Sequence, residues 1–147
     1  MEIILDSTAD EIRQTFIEKF VNRETPTFKE ISKRRLCSDG YCYTGYLWDT
    51  LKSVKVCSEN FVESELEKLS RFYILWDIHS KDFIFIEDYW KYPKEAVLSL
   101  TFGEFLKIKK DLPEDVYIFD DNFNRGYVLT HEYLKKGKRY CLEIYGN

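Results

Sequence analysis

From Pro113 to Glu132 the chain passes from a β-branched and aromatic run, Val116-Tyr117-Ile118-Phe119, through turn formers at 120–126, into a second such run from Gly126 to Thr130. Branched and aromatic side chains fit the pleated surface of a strand, and a cluster of Asp, Asn and Gly between two such runs predicts a β-hairpin. Upstream the period is helical. Ile12, Phe16, Ile17, Phe20 and Val21 recur at helical spacing, and Thr8 followed three residues later by Glu11 has the form of a capping box, so a helix is expected over 9–22. Thr25 before Pro26, with Phe28 and Ile31 on one face, predicts a short helix over 26–35 whose last turn carries Lys33, Arg34 and Arg35 at the negative end of the dipole. Leu47, Trp48 and Leu51 suggest a helical segment over 46–51, which Val54 and Val56 either extend or leave as coil. Ser58 with Phe61, Val62, Leu66 and Leu69 predicts a further helix over about 59–70.

At Arg71 the pattern changes. RFYILWDI and DFIFIEDYW, joined by His79-Ser80-Lys81, read as a second hairpin with both strands largely covered. Pro93 ends it, Thr101 is placed to cap a helix over roughly 102–110, and RYCLEIY at 139–145 reads as the last strand. Residues 36–46, with Asp39-Gly40 and Gly45, read as a turn-rich loop. The sum is a single α+β domain over 1–147, helix-rich in 1–70 and strand-rich in 71–147. Its N-terminal helices are expected on one face of a mainly antiparallel sheet of about five strands.

Composition narrows the class. With 44% hydrophobic and 33% charged residues, the 147-residue chain has too much apolar material for a disordered protein. Eleven Tyr, eleven Phe and three Trp exceed what one core takes from this residue class, so some aromatics, Tyr first, are expected to face solvent or a partner. A net charge of −4 argues against the basic footprint that nucleic-acid capture needs, and it permits a basic protein partner. The clusters Lys107, Lys109, Lys110 and Lys135, Lys136, Lys138, Arg139 read as a helix end and a strand rim. No apolar stretch has the length of a signal peptide core or a membrane span, so no membrane partner and a cytoplasmic location are expected, with Cys37, Cys42, Cys57 and Cys141 as reduced thiols.

Candidate chemistry is sparse. Asp120, Asn122 and Asn124 offer oxygens at alternate residues as a calcium loop does, but Gly126 and Glu132 each fall one position late, which favours an Asx-rich turn. His79 and His131 are the two histidines that a ribonuclease-like acid–base pair would require; His131, inside Thr130-His131-Glu132, reads rather as bonding a neighbouring carbonyl or carboxylate. The cysteines lack the close pairs of a structural zinc site, so neither metal nor cofactor is expected. What remains is surface: Asp77, Asp82, Glu87, Asp88, Tyr89, Trp90 and Tyr92 about the first hairpin, and Asp111, Glu114, Asp115, Asp120 and Asp121 flanking the second. From Asp111 to Asn124 there are five acids and no base. Acids interleaved with Tyr and Trp suit the covering of a cationic groove, charge steering the encounter and aromatics anchoring it.

Tyr46-Leu47-Trp48-Asp49, Val116-Tyr117-Ile118-Phe119-Asp120 with Phe123, and Tyr127-Val128-Leu129-Thr130-His131-Glu132 together resemble a group of small uncharacterised bacterial proteins. Members of that group carry a Y-L-W-H-like segment and end in D-x-x-F-x-x-x-Y-V-x-T-H-E. The resemblance covers roughly residues 10–133 and departs at Asp49, where the group has His, and at Asn124-Arg125-Gly126, where its turn is more aromatic. In size, acidity and aromatic content the chain is also similar in type to the immunity proteins that bacteria encode beside toxins of contact-dependent competition systems. That likeness implies an inhibitor of a cognate toxin domain, with Glu87, Asp88, Tyr89, Trp90, Asp120 and Asp121 as its contact residues. The alternatives are a small hydrolase or nuclease-like enzyme using His131, Glu132 and a neighbouring acid or Tyr, and a homodimeric regulatory domain.

Overall fold

Val116, Tyr117, Ile118 and Phe119 are each no more than 1% exposed. Successive strand residues point to opposite sides, so four buried in a row require both faces of the sheet to be covered. The computed structural model, which describes residues 1–32, 46–76, 91–93 and 95–146, has this construction. In chain order the elements are β1 (Glu2–Ile4), α1 (Asp6–Phe20), α2 (Pro26–Ser32), a 3-10 turn (Leu47–Thr50), β2 (Val54–Cys57), α3 (Glu59–Glu67), β3 (Phe72–Trp76), β4 (Val97–Leu100), α4 (Phe102–Ile108), β5 (Val116–Asp120), β6 (Arg125–Tyr133) and β7 (Arg139–Tyr145). Among the described residues the strands form one seven-stranded sheet in the order β1-β4-β3-β5-β6-β7-β2, every neighbouring pair antiparallel. The chain is therefore α+β.

The helices do not share one face, contrary to the expectation. Ala9, Phe16 and Phe20 of α1 pack with Trp48 against Leu75, Tyr117, Phe119, Val128, Leu142 and Ile144. Val62 and Leu66 of α3 and Phe105 of α4 pack on the opposite side, against Phe72, Ile74, Val116, Ile118, Tyr127, Leu129 and Cys141. Full burial of each such large apolar side chain contributes about 1.5–3 kcal/mol. Among the described residues no helix is long and apolar enough to cross a membrane.

The caps account for where the helices start. Ser58 Oγ accepts from the Phe61 amide at 3.1 Å, and Thr101 and Glu104 form a reciprocal box, with Glu104 N to Thr101 Oγ1 at 3.3 Å and Thr101 N to Glu104 Oε1 at 3.0 Å. The box expected of Thr8 and Glu11 is not formed. Helix α1 begins earlier, at Asp6, after a Leu5 N-cap that makes no side-chain bond, so Thr8 and Glu11 lie within the helix. Asp6 itself stands at φ 57°, a left-handed conformation that Asp tolerates better than most residues. The helical segment expected over 46–51 is a single 3-10 turn, Leu47–Thr50, between extended residues Tyr46 and Leu51, and Val54 and Val56, instead of extending it, lie in strand β2, where they are 49% and 55% exposed.

The second expected hairpin falls largely outside the described residues; its first run begins as β3, which over Phe72–Ile74 has β4 on one side and β5 on the other. The run at 82–90 lies outside the described residues, as do Lys33, Arg34, Arg35 and the loop to residue 45.

Candidate functional site

The central hairpin, β5 and β6, has a chemically different end at each side of the sheet. At its turn Asp120 accepts backbone hydrogen bonds on Oδ1 from Asn124 (2.8 Å) and Arg125 (3.4 Å), and the Phe123 amide donates to the Asp120 carbonyl at 3.1 Å. Phe123 takes the left-handed conformation, φ 57°. The three oxygen-bearing residues that suggested a calcium loop thus divide their work: Asp120 closes the turn with its carboxylate, and Asn122 and Asn124 are exposed. Asp121 is exposed beside them.

Beneath the turn, on the α3 side, is a surface depression of about 390 Å³ lined by Glu65, Lys68, Asp120, Asn124, Arg125, Tyr127 and Tyr145, together with Leu69. Arg125 lies over the Tyr145 ring, 5.4 Å from its centroid, with its Nε 3.7 Å from the buried Glu143 carboxylate, to which the Tyr145 hydroxyl also donates. Burial pushes the Tyr127 phenol up to about 12, and the nearby Glu65 carboxylate works in the same direction, so Tyr127 remains a protonated donor. Gly126 is required on the other face of the sheet, the one α1 covers, where a Cβ would stand 2.8 Å from the Ile118 carbonyl and 3.0 Å from Phe119 Cβ.

At the other end of β5, roughly 17 Å away at 3.4 Å per residue, His131 meets Asp115. Its Nδ1 lies 2.9 and 3.0 Å from the two carboxylate oxygens, and its amide donates to Oδ1 at 2.7 Å. A bulge places it there. Beyond the Leu129–Cys141 pair the ladder resumes only at Tyr133–Arg139, so Thr130, His131 and Glu132 oppose the single Tyr140. The Thr130 hydroxyl donates to the Tyr140 carbonyl at 2.8 Å and accepts from the Glu132 amide at 3.1 Å, which fixes the extra residues. On the far side of the imidazole, Nε2 is 3.5 Å from the Tyr46 hydroxyl, and Tyr46 stacks on Trp48 with centroids 4.1 Å apart and planes 9° apart. Asp115 holding Nδ1–H leaves the neutral ring's lone pair on Nε2, toward a partly exposed surface.

Arg139 braces this end. It donates to the carbonyls of Thr130 and Glu114 and pairs with Glu59 at 3.2 Å, while Lys109 bonds Glu59 at 2.9 Å and also Glu63. Burial works against the Glu59 carboxylate, but its bonds to Lys109 and Arg139 outweigh that and hold its pKa below the ordinary value.

Of the expected contact residues, Asp120 and Asp121 stand together at the turn, whereas Glu87, Asp88, Tyr89 and Trp90 lie outside the described residues, with Asp77, His79, Asp82, Cys37 and Cys42. Asp111 is paired with Lys91 at 3.2 Å. The carboxylate expected beside His131 is Asp115. The sequence does not mark Tyr145 and Glu65 at the turn or Tyr46 at His131, because each comes from an element distant in the chain; Arg125, within the turn segment itself, was not singled out. The two motif segments singled out in the sequence, Tyr46-Leu47-Trp48 and Thr130-His131-Glu132, do meet in space.

Comparison with known proteins finds no matching family, no similar curated protein and no similar solved structure.

Proposed function

We propose that the chain is an immunity-type inhibitor, a cytoplasmic protein that binds and neutralises a basic toxin domain, a nuclease of a contact-dependent competition system. The observation that carries this reading is the hairpin turn: an acidic tip held rigid by its own Asp120 carboxylate, beside a depression lined by Arg125, Tyr127 and Tyr145. Tyr and Arg around a concave centre are the residues that most often anchor protein interfaces, and a preformed turn avoids the entropy of ordering a loop on binding. With helices on both sheet faces, the turns and edges are the parts of the sheet left to contact a partner. Charge favours the turn over the other hairpin end. Around the turn Glu65, Asp120, Asp121 and Glu143 exceed Lys68 and Arg125 by two, whereas around His131 the acids Asp49, Glu59, Glu63, Glu114, Asp115 and Glu132 exceed Lys109, Lys135, Lys136, Lys138 and Arg139 by one.

The test is capture of the tagged chain's partner from cells of its source, followed by calorimetry. The expected result is a stoichiometric, salt-sensitive complex with a basic domain, weakened by Asp121→Lys by about 2–5 kcal/mol, the range for a charge truncated at such an interface. Absence of any protein partner would remove the reading. Binding that survives Asp121→Lys and Arg125→Glu unchanged would move the interface elsewhere.

A second reading has its own observation. Asp115, His131 and Tyr46 are aligned as an acid-oriented general base next to a hydroxyl, the arrangement of a small hydrolase. His131→Ala separates the two proposals: loss of a hydrolytic activity with partner binding intact supports the enzyme, and loss of neither leaves His131 a bulge residue.

A further inference from the structure

Cys57 and Cys141 are register partners in the β2–β7 ladder, so their side chains leave the sheet on the same side, the one covered by α3 and α4. Cys141 is buried, Cys57 is half-buried, and both are free thiols. Opposite residues of an antiparallel ladder have Cα atoms about 4.5 or 5.5 Å apart, and both spacings fall within the roughly 4.4–6.8 Å that a disulfide spans. We infer that Cys57 and Cys141 are the two halves of a reversible intramolecular disulfide, a modification site that staples edge strand β2 to the body of the sheet under oxidising conditions.

The position gives the bond something to do. Among the described residues β2 is a terminal strand with β7 as its sole ladder neighbour, and Val54 and Val56 are half exposed on it. A short edge strand held from one side is the part of a sheet most open to fraying and to pairing with other chains. It is also the strand that leads out of the Leu47–Thr50 turn, whose Trp48 packs near His131, so anchoring β2 also steadies that corner.

Closure needs an oxidant, and a small-molecule disulfide such as glutathione disulfide supplies it. The more accessible Cys57, as thiolate, attacks one glutathione sulfur; the glutathione S–S bond breaks and a glutathione thiolate leaves. The Cys141 thiolate then attacks Cys57 Sγ in the mixed disulfide and expels the second glutathione. Two protein thiols are oxidised, one glutathione disulfide is reduced, and the two thiol protons pass through water to the two glutathione thiolates. Burial, with the neighbouring Cys141 and Glu143, pushes the Cys57 thiol up to about 12, and burial pushes Cys141 up to about 11. Thiolate is therefore scarce near neutrality, so uncatalysed closure is slow and quickens about tenfold for each pH unit up to those values. The pair behaves as a latent staple and stays reduced through brief oxidant exposure.

The test is incubation of the intact chain with glutathione disulfide at pH 7.5 and 8.5, alkylation of remaining thiols, and peptide mapping without reductant. The expected result is a monomer with a Cys57–Cys141 linked peptide, formed about ten times faster at the higher pH. Its Tm should lie about 5–15 °C above that of the reduced chain and fall back on reduction. Cys57→Ser, at a half-buried position, is expected to fold and to show neither the link nor the rise. A stable glutathione adduct on Cys57 without the cross-link, a link that joins two chains, or a linked species with unchanged Tm would each overturn the inference.

Discussion

Replacing Phe119 with alanine is expected to cost about 3–5 kcal/mol, a large part of the 5–15 kcal/mol that a domain of this size has to lose. Phe119 is fully buried and joins three elements. Its ring centroid is 4.9 Å from Phe16 and 6.1 Å from Phe20 on α1, 5.6 Å from Tyr73 on β3, and 5.4 Å from Phe123 in the hairpin turn. Its register partner across the ladder is Gly126, which has no side chain to move into the space. Truncation therefore leaves a cavity that neighbours cannot fill, and the transfer and cavity contributions add. Urea unfolding should show a midpoint lowered by about 2 M with an unchanged slope. A shift under about 0.5 M would mean that α1 does not rest on β5 as described.

Asp115→Ala is the second large expectation, at about 2–4 kcal/mol. The Asp115 side chain is 11% exposed and accepts from both the amide and Nδ1 of His131, so its removal strips a bulge of the acceptor that holds it. His131→Ala should cost less, because the amide keeps its bond to Asp115 and the lost ring is partly exposed. The pair with the double variant makes a thermodynamic cycle whose coupling energy isolates the side-chain contact from the amide bond. Additive effects would show that Asp115 serves the backbone alone, and they would also weaken the hydrolase reading, which needs the imidazole oriented.

Much of the fold is legible in local pattern. The β5–β6 hairpin follows from two branched runs around an Asx-rich turn, and Ser58 and Thr101 mark helix starts through the hydroxyls they place three residues ahead of a free amide. The double coverage of the sheet was not foreseen, since the helices were expected on one face, although the unbroken apolar run Val116 to Phe119 is the mark it leaves in the sequence. What local pattern could not carry was the pairing. Strands β1 and β2 have three and four residues, too few to establish a period of two. The pairing of β3 with β4 and β5, the latter about forty residues on in the chain, has no local mark either.

The candidate sites divide in the same way. Asp120 and Asp121 are adjacent in the chain and are found together. His131 depends on a ladder irregularity that brings in Asp115 and on Tyr46, 85 residues away, and neither leaves a mark in local spacing.

The strand order has a consequence for synthesis. Among the described residues the two outermost strands, β1 and β2, come from the first part of the chain, yet Glu2 pairs with Ser99 and Val54 with Ile144. As the chain leaves the ribosome, α1 and α3 emerge with their apolar stripes complete but without β5, β6 and β7, the strands they are to cover. Strands β1, β3 and β4 can pair once residue 100 has been made, but the faces of α1 and α3 that rest on β5, β6 and β7, and the partner of β2, wait until β7 has emerged. Loop closures of this length make such assembly slow. The nascent chain is thus expected to depend on holdase chaperones far more than the finished protein does.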